Sequence, residues 1–427
     1  MLNEYVLLKK VSSSGSKSID KNEIDVSLES VALSKSDLAD VKRDSSILAA
    51  TPNMKVKLIK PVDIENSGIK ISDSIKQSLS LLAGDAPTQS LFDTDECTWG
   101  VQAVGAEQSP YSGKGAIVAI LDTGIDITHE RFEGMNVVRK NFTQESEDDL
   151  SGHGTHCAGT VFGQNISGKP RISVAPGIEK AVIGKVLGEE GGSTSSIAEG
   201  IQWAIKEGSH IISMSLGSDV HEIFISLKNA DNPAPDEVLL AWLLDHQMSQ
   251  MKFYQAVAQY AQSTGDGKAG SVIIAASGNS SRRWLESDYE APCGTPAAAE
   301  DIISVGALGT ALDIFPDFNA NDPNASLLLP TLFSNYNNDI SAPGKKVLSS
   351  VPRGYEVLDG TSMATPHVAG VAALYVEKQL ESHGEFDPVM LKHQLQGTAT
   401  TRGVVVTHPD LNLSSADLGI GLVQAPR

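Results

Sequence analysis

The sequence predicts an α/β protein with a doubly wound, mostly parallel sheet and a small α+β module at its N-terminus. Three observations lead to this prediction. From Trp99 onward, continuous apolar runs end in glycine or small polar residues, helical patterns separate these runs, and the first ninety residues are instead rich in Ser, Lys and Asp. Apolar runs without alternation are typical of parallel strands that are buried on both faces. Ligands of such sheets bind at the carboxyl ends of the strands.

Five apolar runs are the predicted strands. They cover residues 116–124, 180–188, 210–217, 271–279 and 301–309. Between the second and third runs, apolar residues from Ile197 to Ile205 recur at helical spacing, and Ser196 with Glu199 forms a capping-box pattern at the helix start. A second helix is predicted from about Glu237 to Gln262, in a segment longer than one crossover requires.

Composition and charge exclude several classes of function. The chain has 427 residues and a formal net charge of -20, so its surface repels phosphate backbones and anionic lipid headgroups. We therefore expect no nucleic-acid and no membrane partner. Three cysteines give no sign of a disulfide framework. The N-terminus turns polar after a few apolar residues, so no signal peptide is seen and a cytoplasmic location is expected rather than secretion.

Asp122 directly follows an apolar run, which places its carboxylate at the rim of the predicted sheet. Its Asp-Thr-Gly context also suggests an aspartic peptidase, but that chemistry needs a second carboxylate and the motif does not recur. In the segment 151–161, SGHGTHCAGTV, His153 is flanked by glycines and is a candidate general base. A zinc helix would carry a glutamate between its two histidines, and none is present there.

Ser362 opens a predicted helix of small residues, where its own N–H and the neighbouring amides can hold an oxyanion. Taken alone, such a serine is better explained as a helix N-cap. The G-x-S-x-G pattern of the α/β-hydrolases is absent from the segment. The order Asp122, His153, Ser362 is nevertheless one of the known orders of a catalytic triad.

Three motifs, LDTGID, GHGTHCAGT and GTSMATPHVAG, resemble the Asp, His and Ser motifs of the subtilisin-like serine peptidases. The resemblance extends from about Trp99 to Ala425. It implies that Asp122 orients His153, which takes the proton of Ser362 as that residue attacks a peptide carbonyl.

The resemblance also implies the rest of the site. Asn279 matches the side-chain donor of the oxyanion hole, and Ser215, Leu216 and Gly217 match the wall of the substrate cleft that pairs with a polypeptide substrate as an added strand. Cys157 would be a small apolar filler beneath the histidine.

No cofactor is required for this chemistry, and no metal is expected in the site. The loop at residues 163–173 has about the length of the family's calcium-binding loop but few carboxylates, which leaves a structural calcium ion open. The acidic run at residues 145–149 is interpreted as a solvated loop beside the cleft that favours a basic side chain on the substrate.

Residues 1–60 resemble a reduced version of the family's propeptide. A strand precedes a helix capped between Ser34 and Asp37, a β-rich run ends near Leu58, and residues 11–24 are too polar for the usual first helix. Residues 61–96 would be a connecting peptide with a short helix near residues 73–82, and residues 97–427 the catalytic domain. Self-cleavage is expected between Pro61 and Cys97.

The sequence therefore predicts a serine endopeptidase that is made as a precursor inhibited by its own N-terminal segment. The alternative is a catalytically silent relative that binds peptides in the same cleft. The residue preferred before the cleaved bond, the physiological substrate and the oligomeric state are not determined by these motifs.

Overall fold

The computed structural model of the chain describes residues 4–11, 26–59, 79, 91–218, 220–230, 232–263, 270–315, 322 and 324–427. Within these residues, no helix is both long enough and apolar enough to cross a lipid bilayer.

The N-terminal module is a three-stranded antiparallel sheet with one helix. Its elements are β1 (Glu4–Lys10), β2 (Val26–Ala32), α1 (Lys35–Val41) and β3 (Ile47–Pro52), and the strand order is β2-β1-β3. The cap predicted for α1 is confirmed, because Ser34 Oγ accepts from the Asp37 amide and Asp37 Oδ2 accepts from the Ser34 amide. The predicted absence of a helix at 11–24 and the predicted helix near 73–82 lie almost wholly outside the described residues.

An eight-stranded sheet forms the centre of the rest of the chain. Its strands are β5 (Ile117–Asp122), β6 (Asn136–Asn141), β7 (Lys180–Lys185), β9 (Ile211–Met214), β11 (Val272–Ala276), β12 (Ile302–Thr310), β13 (Leu328–Pro330) and β14 (Ile340–Pro343). The order is β13-β12-β11-β9-β5-β7-β6, and β14 also pairs with β12. All neighbours are parallel except β12 and β13. The predicted fold class is confirmed.

Five short strands lie outside this sheet and the N-terminal module. They are β4 (Lys55–Leu58), β8 (Gly192–Ser193), β10 (Leu216–Gly217) and the partners of a hairpin, β15 (Val347–Val351) with β16 (Gly354–Leu358). Strand β4 leaves the N-terminal module and lies between β10 and β8 in a second, antiparallel sheet of three strands.

The helices cover both faces of the central sheet. They are α2 (Trp99–Ala103), α3 (His153–Phe162), α4 (Thr194–Lys206), α5 (Val220–Lys228), α6 (Asp236–Ser263), α7 (Ala311–Ile314), α8 (Thr361–His383), α9 (Pro388–Thr398) and α10 (Ser415–Leu418). Apolar residues of α3 and α8 fill the core on one face. On the other face, α4 and α6 share a second core with the N-terminal module.

Two local predictions for the catalytic part differ from the structure. The capping box of α4 lies one turn earlier than expected, since Ser193 Oγ accepts from the Ser196 amide and Ser196 Oγ accepts from the Ser193 amide. Strands β6, β13 and β14 have no counterpart among the predicted strands. Strand β6 is an edge strand that includes polar residues, and β13 and β14 have only three and four residues, so none of them forms a long continuous apolar run.

The long helix α6 is the surface on which the N-terminal module packs. Val6 and Leu8 of the module share a buried cluster with Phe253, and Gln250 Nε2 donates to the Pro52 carbonyl at 2.9 Å. Trp242 of the same helix remains 36% exposed.

Candidate active site

Asp122, His153 and Ser362 come together at the carboxyl ends of the central strands. Asp122 is the last residue of β5, His153 is the first residue of α3, and Ser362 is the second residue of α8. His153 Nδ1 lies 2.7 Å from Asp122 Oδ1, and all three side chains are buried. His153 Nε2 is buried without a hydrogen-bond partner among the described residues. The imidazole is therefore oriented through one nitrogen, and the other is left to exchange a proton.

A buried carboxylate, Asp149, holds the start of helix α3 and so positions His153. Its Oδ1 accepts from Thr123 Oγ1 at 2.8 Å and from the Gly152 amide at 2.9 Å, and its Oδ2 accepts from the Thr155 amide at 2.9 Å and from Thr155 Oγ1 at 2.6 Å. These bonds satisfy amides that the helix itself cannot pair and join α3 to the end of β5.

This role corrects the interpretation of residues 145–149 as a solvated loop. Asp149 is 5% exposed, Glu147 pairs with Arg139, and Glu145 pairs with Lys185. Asp149 lies six positions before Thr155, which is too far for the usual capping box. For this reason the sequence did not identify Asp149.

Close backbone contact explains the glycine that follows His153. A Cβ atom added to Gly154 would lie 2.2 Å from the carbonyl oxygen of Gly124, in the turn after Asp122. Only glycine allows α3 to approach β5 this closely. The second histidine of the motif, His156, is structural, because its Nε2 lies 3.0 Å from the Val347 carbonyl and burial lowers its pKa to about 3.

The hydroxyl of Ser362 has two acceptors within reach, and neither is His153. Ser362 Oγ lies 3.3 Å from the Ser215 carbonyl and 3.2 Å from the Ile59 carbonyl. In return, Ser215 Oγ donates to the Ser362 carbonyl at 2.9 Å. A hydroxyl has one proton, so it donates to one of these oxygens at a time and must turn toward the imidazole before it can transfer that proton.

Asn279 lies beside the start of helix α8 with its amide orientation fixed. Its Oδ1 accepts from both the amide and the hydroxyl of Thr361, each at 2.9 Å. With the oxygen committed to Thr361, the NH2 group is directed to the other side, as an oxyanion donor requires. The Ser362 amide belongs to the first turn of the same helix, whose amides have no partner within the helix.

The N-terminal segment occupies the substrate cleft predicted from Ser215, Leu216 and Gly217. Strand β4 pairs with β10 so that Leu58 is opposite Leu216 and Lys57 is opposite Gly217, and on its other edge Val56 is opposite Gly192. The following residue, Ile59, brings its carbonyl oxygen to the Ser362 hydroxyl. Residues 55–59 therefore extend along β10 as far as Ser362.

Ile59 lines one side of a cleft of ≈ 380 Å³. Its walls include Gly217, Gly278 and Thr295. A Cβ atom on Gly217 would lie 3.2 Å from Ile59 Cδ1, so a larger residue there would crowd the Ile59 side chain. The described lining is mixed and includes Glu222, Arg282 and Trp284.

The electrostatics of the site raise the pKa of His153. Burial alone lowers it, but the negative charge of Asp122 and its hydrogen bond outweigh burial, and the pKa lies well above its ordinary value of 6.5. Cys157 Sγ lies 3.9 Å from His153 Nδ1 and 3.6 Å from the Ser362 carbonyl. Burial raises the pKa of this cysteine, so it is present as a neutral thiol.

The loop at 163–173, for which a calcium ion was considered, binds a guanidinium group. Arg131 is fully buried and donates from Nη1 to the Gln164 carbonyl at 2.9 Å and from Nη2 to the Pro170 carbonyl at 2.8 Å. Asn165, in the same loop, is exposed. Calcium takes six to eight oxygen ligands, usually with carboxylates. Because the permanent positive charge of Arg131 is already bound to the loop carbonyls, this loop does not fit a calcium ion.

Comparison with known proteins agrees with this architecture. The profile of the Subtilase family matches residues 113–416. M-protease of Shouchella clausii (strain KSM-K16) is 33% identical over 376 residues, which are 84% of this chain and 81% of that protein. Subtilisin Savinase of Lederbergia lenta is 35% identical over 312 residues, 71% of this chain and 92% of that protein. The major intracellular serine protease of Bacillus subtilis (strain 168) is 32% identical over 311 residues, 69% and 79% of the two chains.

Proposed function

Because the chain belongs to the subtilase family, we propose that it is a serine endopeptidase made as a precursor whose N-terminal segment fills its own active site. The observation that carries this proposal is the position of the Ile59 carbonyl oxygen, 3.2 Å from Ser362 Oγ, at the end of a strand paired with the cleft wall.

In the proposed mechanism, His153 Nε2 takes the proton of Ser362 as the hydroxyl attacks the carbonyl carbon, and Asp122 stabilises the imidazolium that forms. The oxyanion is bound by the Asn279 amide group and the Ser362 backbone N–H. The tetrahedral intermediate collapses when the imidazolium protonates the leaving amine. Water then repeats the sequence on the acyl-enzyme, which regenerates Ser362 and releases the carboxylate product.

The same geometry supports a self-cleavage position. Strand β4 runs from the docked module into the cleft and brings the Ile59 carbonyl to Ser362. The bond that Ser362 cleaves first is therefore Ile59–Lys60 and not a bond between Pro61 and Cys97. After cleavage, residues 1–59 would remain as a separate inhibitor bound through β4. Release of this segment opens the cleft to polypeptide substrates.

A fluorophosphonate probe and mass spectrometry test the proposal together. The wild type should be labelled at Ser362, hydrolyse an unfolded protein and release residues 1–59. Ser362→Ala should lose labelling and remain intact. Ser382→Ala, which removes an exposed serine from the far end of α8, should behave as the wild type. A folded wild type that binds peptides without labelling or hydrolysis would instead be a silent relative. Cleavage downstream of Pro61 alone would contradict the proposed position.

A further inference from the structure

Helix α5 lies at the edge of the substrate cleft and has no role in the chemistry described above. It follows cleft strand β10 after two residues, and none of its residues is fully buried. Between α5 and β4 there is a cavity of ≈ 240 Å³ whose lining includes Met54, Ile223 and Leu227. The helix therefore lies along the segment that fills the cleft, on the solvent side of that segment.

The side chains of β4 alternate between the protein and this outer side. Val56 is 3% exposed and packs into the core, whereas Lys55 and Lys57 lie on the outer face, as alternation in a strand requires. Each lysine meets a glutamate. Lys57 Nζ is paired with Glu222 Oε2 on α5, and Lys55 Nζ lies 3.3 Å from Glu190 Oε2 in the turn before β8.

The two ion pairs differ in exposure, which decides their relative value. The side chains of Lys57 and Glu222 are 40% and 43% exposed, and those of Lys55 and Glu190 are 53% and 93% exposed. Solvent screens the attraction within a fully exposed ion pair almost completely. A partly covered pair with a fixed geometry keeps enough attraction to favour one side chain over another. Glu222 is therefore the residue with the larger expected effect.

We propose that Glu222 determines specificity by selecting polypeptide substrates with Lys or Arg at the third residue before the cleaved bond. This inference rests on the proposed function. Any substrate that adds to β10 as β4 does has the same register, because its backbone bonds to Leu216 and Gly217 fix which side chains point outward. The third side chain before the bond then reaches Glu222, as Lys57 does.

Two quenched peptides with the sequence of residues 54–63 test this inference. They differ only at the position of Lys57, which is Lys in one and Gln in the other. The full chain is expressed whole and assayed after self-processing. We expect kcat/KM to be about threefold to fivefold higher for the Lys peptide at low salt, and this ratio to shrink at 1 M salt.

Charge reversal provides the decisive comparison. In Glu222→Gln the ratio between the two peptides should fall to near one, and Glu222→Lys should prefer a third peptide that carries Glu at this position. Glu385→Gln, which removes the same charge from an exposed site far from β4, should retain the wild-type ratio.

The outcomes separate this inference from the proposed function. Failure to cleave either peptide would refute the endopeptidase activity itself. Cleavage of both peptides with equal kcat/KM would leave the activity in place and overturn only the role of Glu222. If Glu222→Gln weakens inhibition by added residues 1–59 but leaves the peptide ratio unchanged, Glu222 serves docking of the N-terminal segment alone, and the specificity proposal is wrong.

Discussion

The catalytic centre and the segment that fills its cleft are held by different kinds of interaction. Asp122 and Ser362 are 0% exposed and His153 is 2% exposed, within an array of buried hydrogen bonds. Residues 1–59, by contrast, are held by packing of the N-terminal module on α6, by short strand pairing in the cleft and by ion pairs that are partly or largely exposed. Buried polar networks are costly to break, whereas exposed pairs are weak. We therefore expect the centre to persist if residues 1–59 are released as proposed.

The largest effect is expected from Asn279, the proposed oxyanion donor of the catalytic centre. Asn279→Ala should lower kcat by roughly 10²–10³ with little change in KM, a magnitude that comes from the equivalent change in subtilisin. Because Asn279 Oδ1 also accepts two bonds from Thr361, a purely structural role is tested with Asn279→Asp, which retains an acceptor and loses the donor. Recovery of kcat in the Asp variant would show that the lost donor was not the cause.

Removal of the buried guanidinium should be the next largest change. Arg131→Ala should lower the free energy of unfolding by about 2–4 kcal/mol, because it leaves the Gln164 and Pro170 carbonyls without their donors. Arg131→Lys should also lose stability, since it retains the charge without the planar fork. The control, Arg402→Ala, changes an exposed residue.

Calcium removal sharpens the same point. In the wild type, chelation of calcium should not increase proteolytic cutting of the loop at 163–173. In Arg131→Ala, a protease should cut the same loop faster than in the wild type. Calcium-dependent protection of the wild-type loop in limited proteolysis would contradict the guanidinium assignment.

Within β4, the one buried side chain, Val56, should contribute most to binding in the cleft. Val56→Ala in a segment of residues 1–59 added in trans should raise its inhibition constant by about tenfold, because a 3% exposed side chain loses its packing. Leu48→Ala, at a position that is 38% exposed on β3, should change it little. Equal effects of the two variants would show that the module binds through its outer strand as much as through the cleft.

A smaller effect is expected on the pH profile of the mature enzyme. Activity needs the neutral imidazole, and Asp122 raises the pKa of His153, so the acidic limb of kcat/KM should have its midpoint above pH 6.5. Burial lowers the pKa of His153, and release of residues 1–59 would make His153 less buried. The pKa of His153 should therefore stay above its ordinary value. In Asp122→Asn, NMR titration of the His153 ring should show a lower pKa. A limb at or below pH 6.5 in the wild type would contradict this assignment.

The sequence determined the parts of this protein that depend on local patterns. Uninterrupted apolar runs specified most strands of the central sheet, because strands buried on both faces need apolar residues throughout. The long helix predicted at 237–262 is found at Asp236–Ser263. Three short motifs also pointed to Asp122, His153 and Ser362, since the chemistry demands those residue types beside glycines that permit close approach.

Only the tertiary structure decided which distant side chains meet. Asp149 and Arg131 look like ordinary surface charges in the sequence, and the carbonyls and amides that they bind come from other turns of the chain. The strand register at β4 likewise brings Ile59 to Ser362 and Lys57 to Glu222. A shift of one residue would turn every side chain of β4 to the opposite face, and that register is fixed by backbone bonds to β10 and β8, which no local pattern in residues 55–59 encodes.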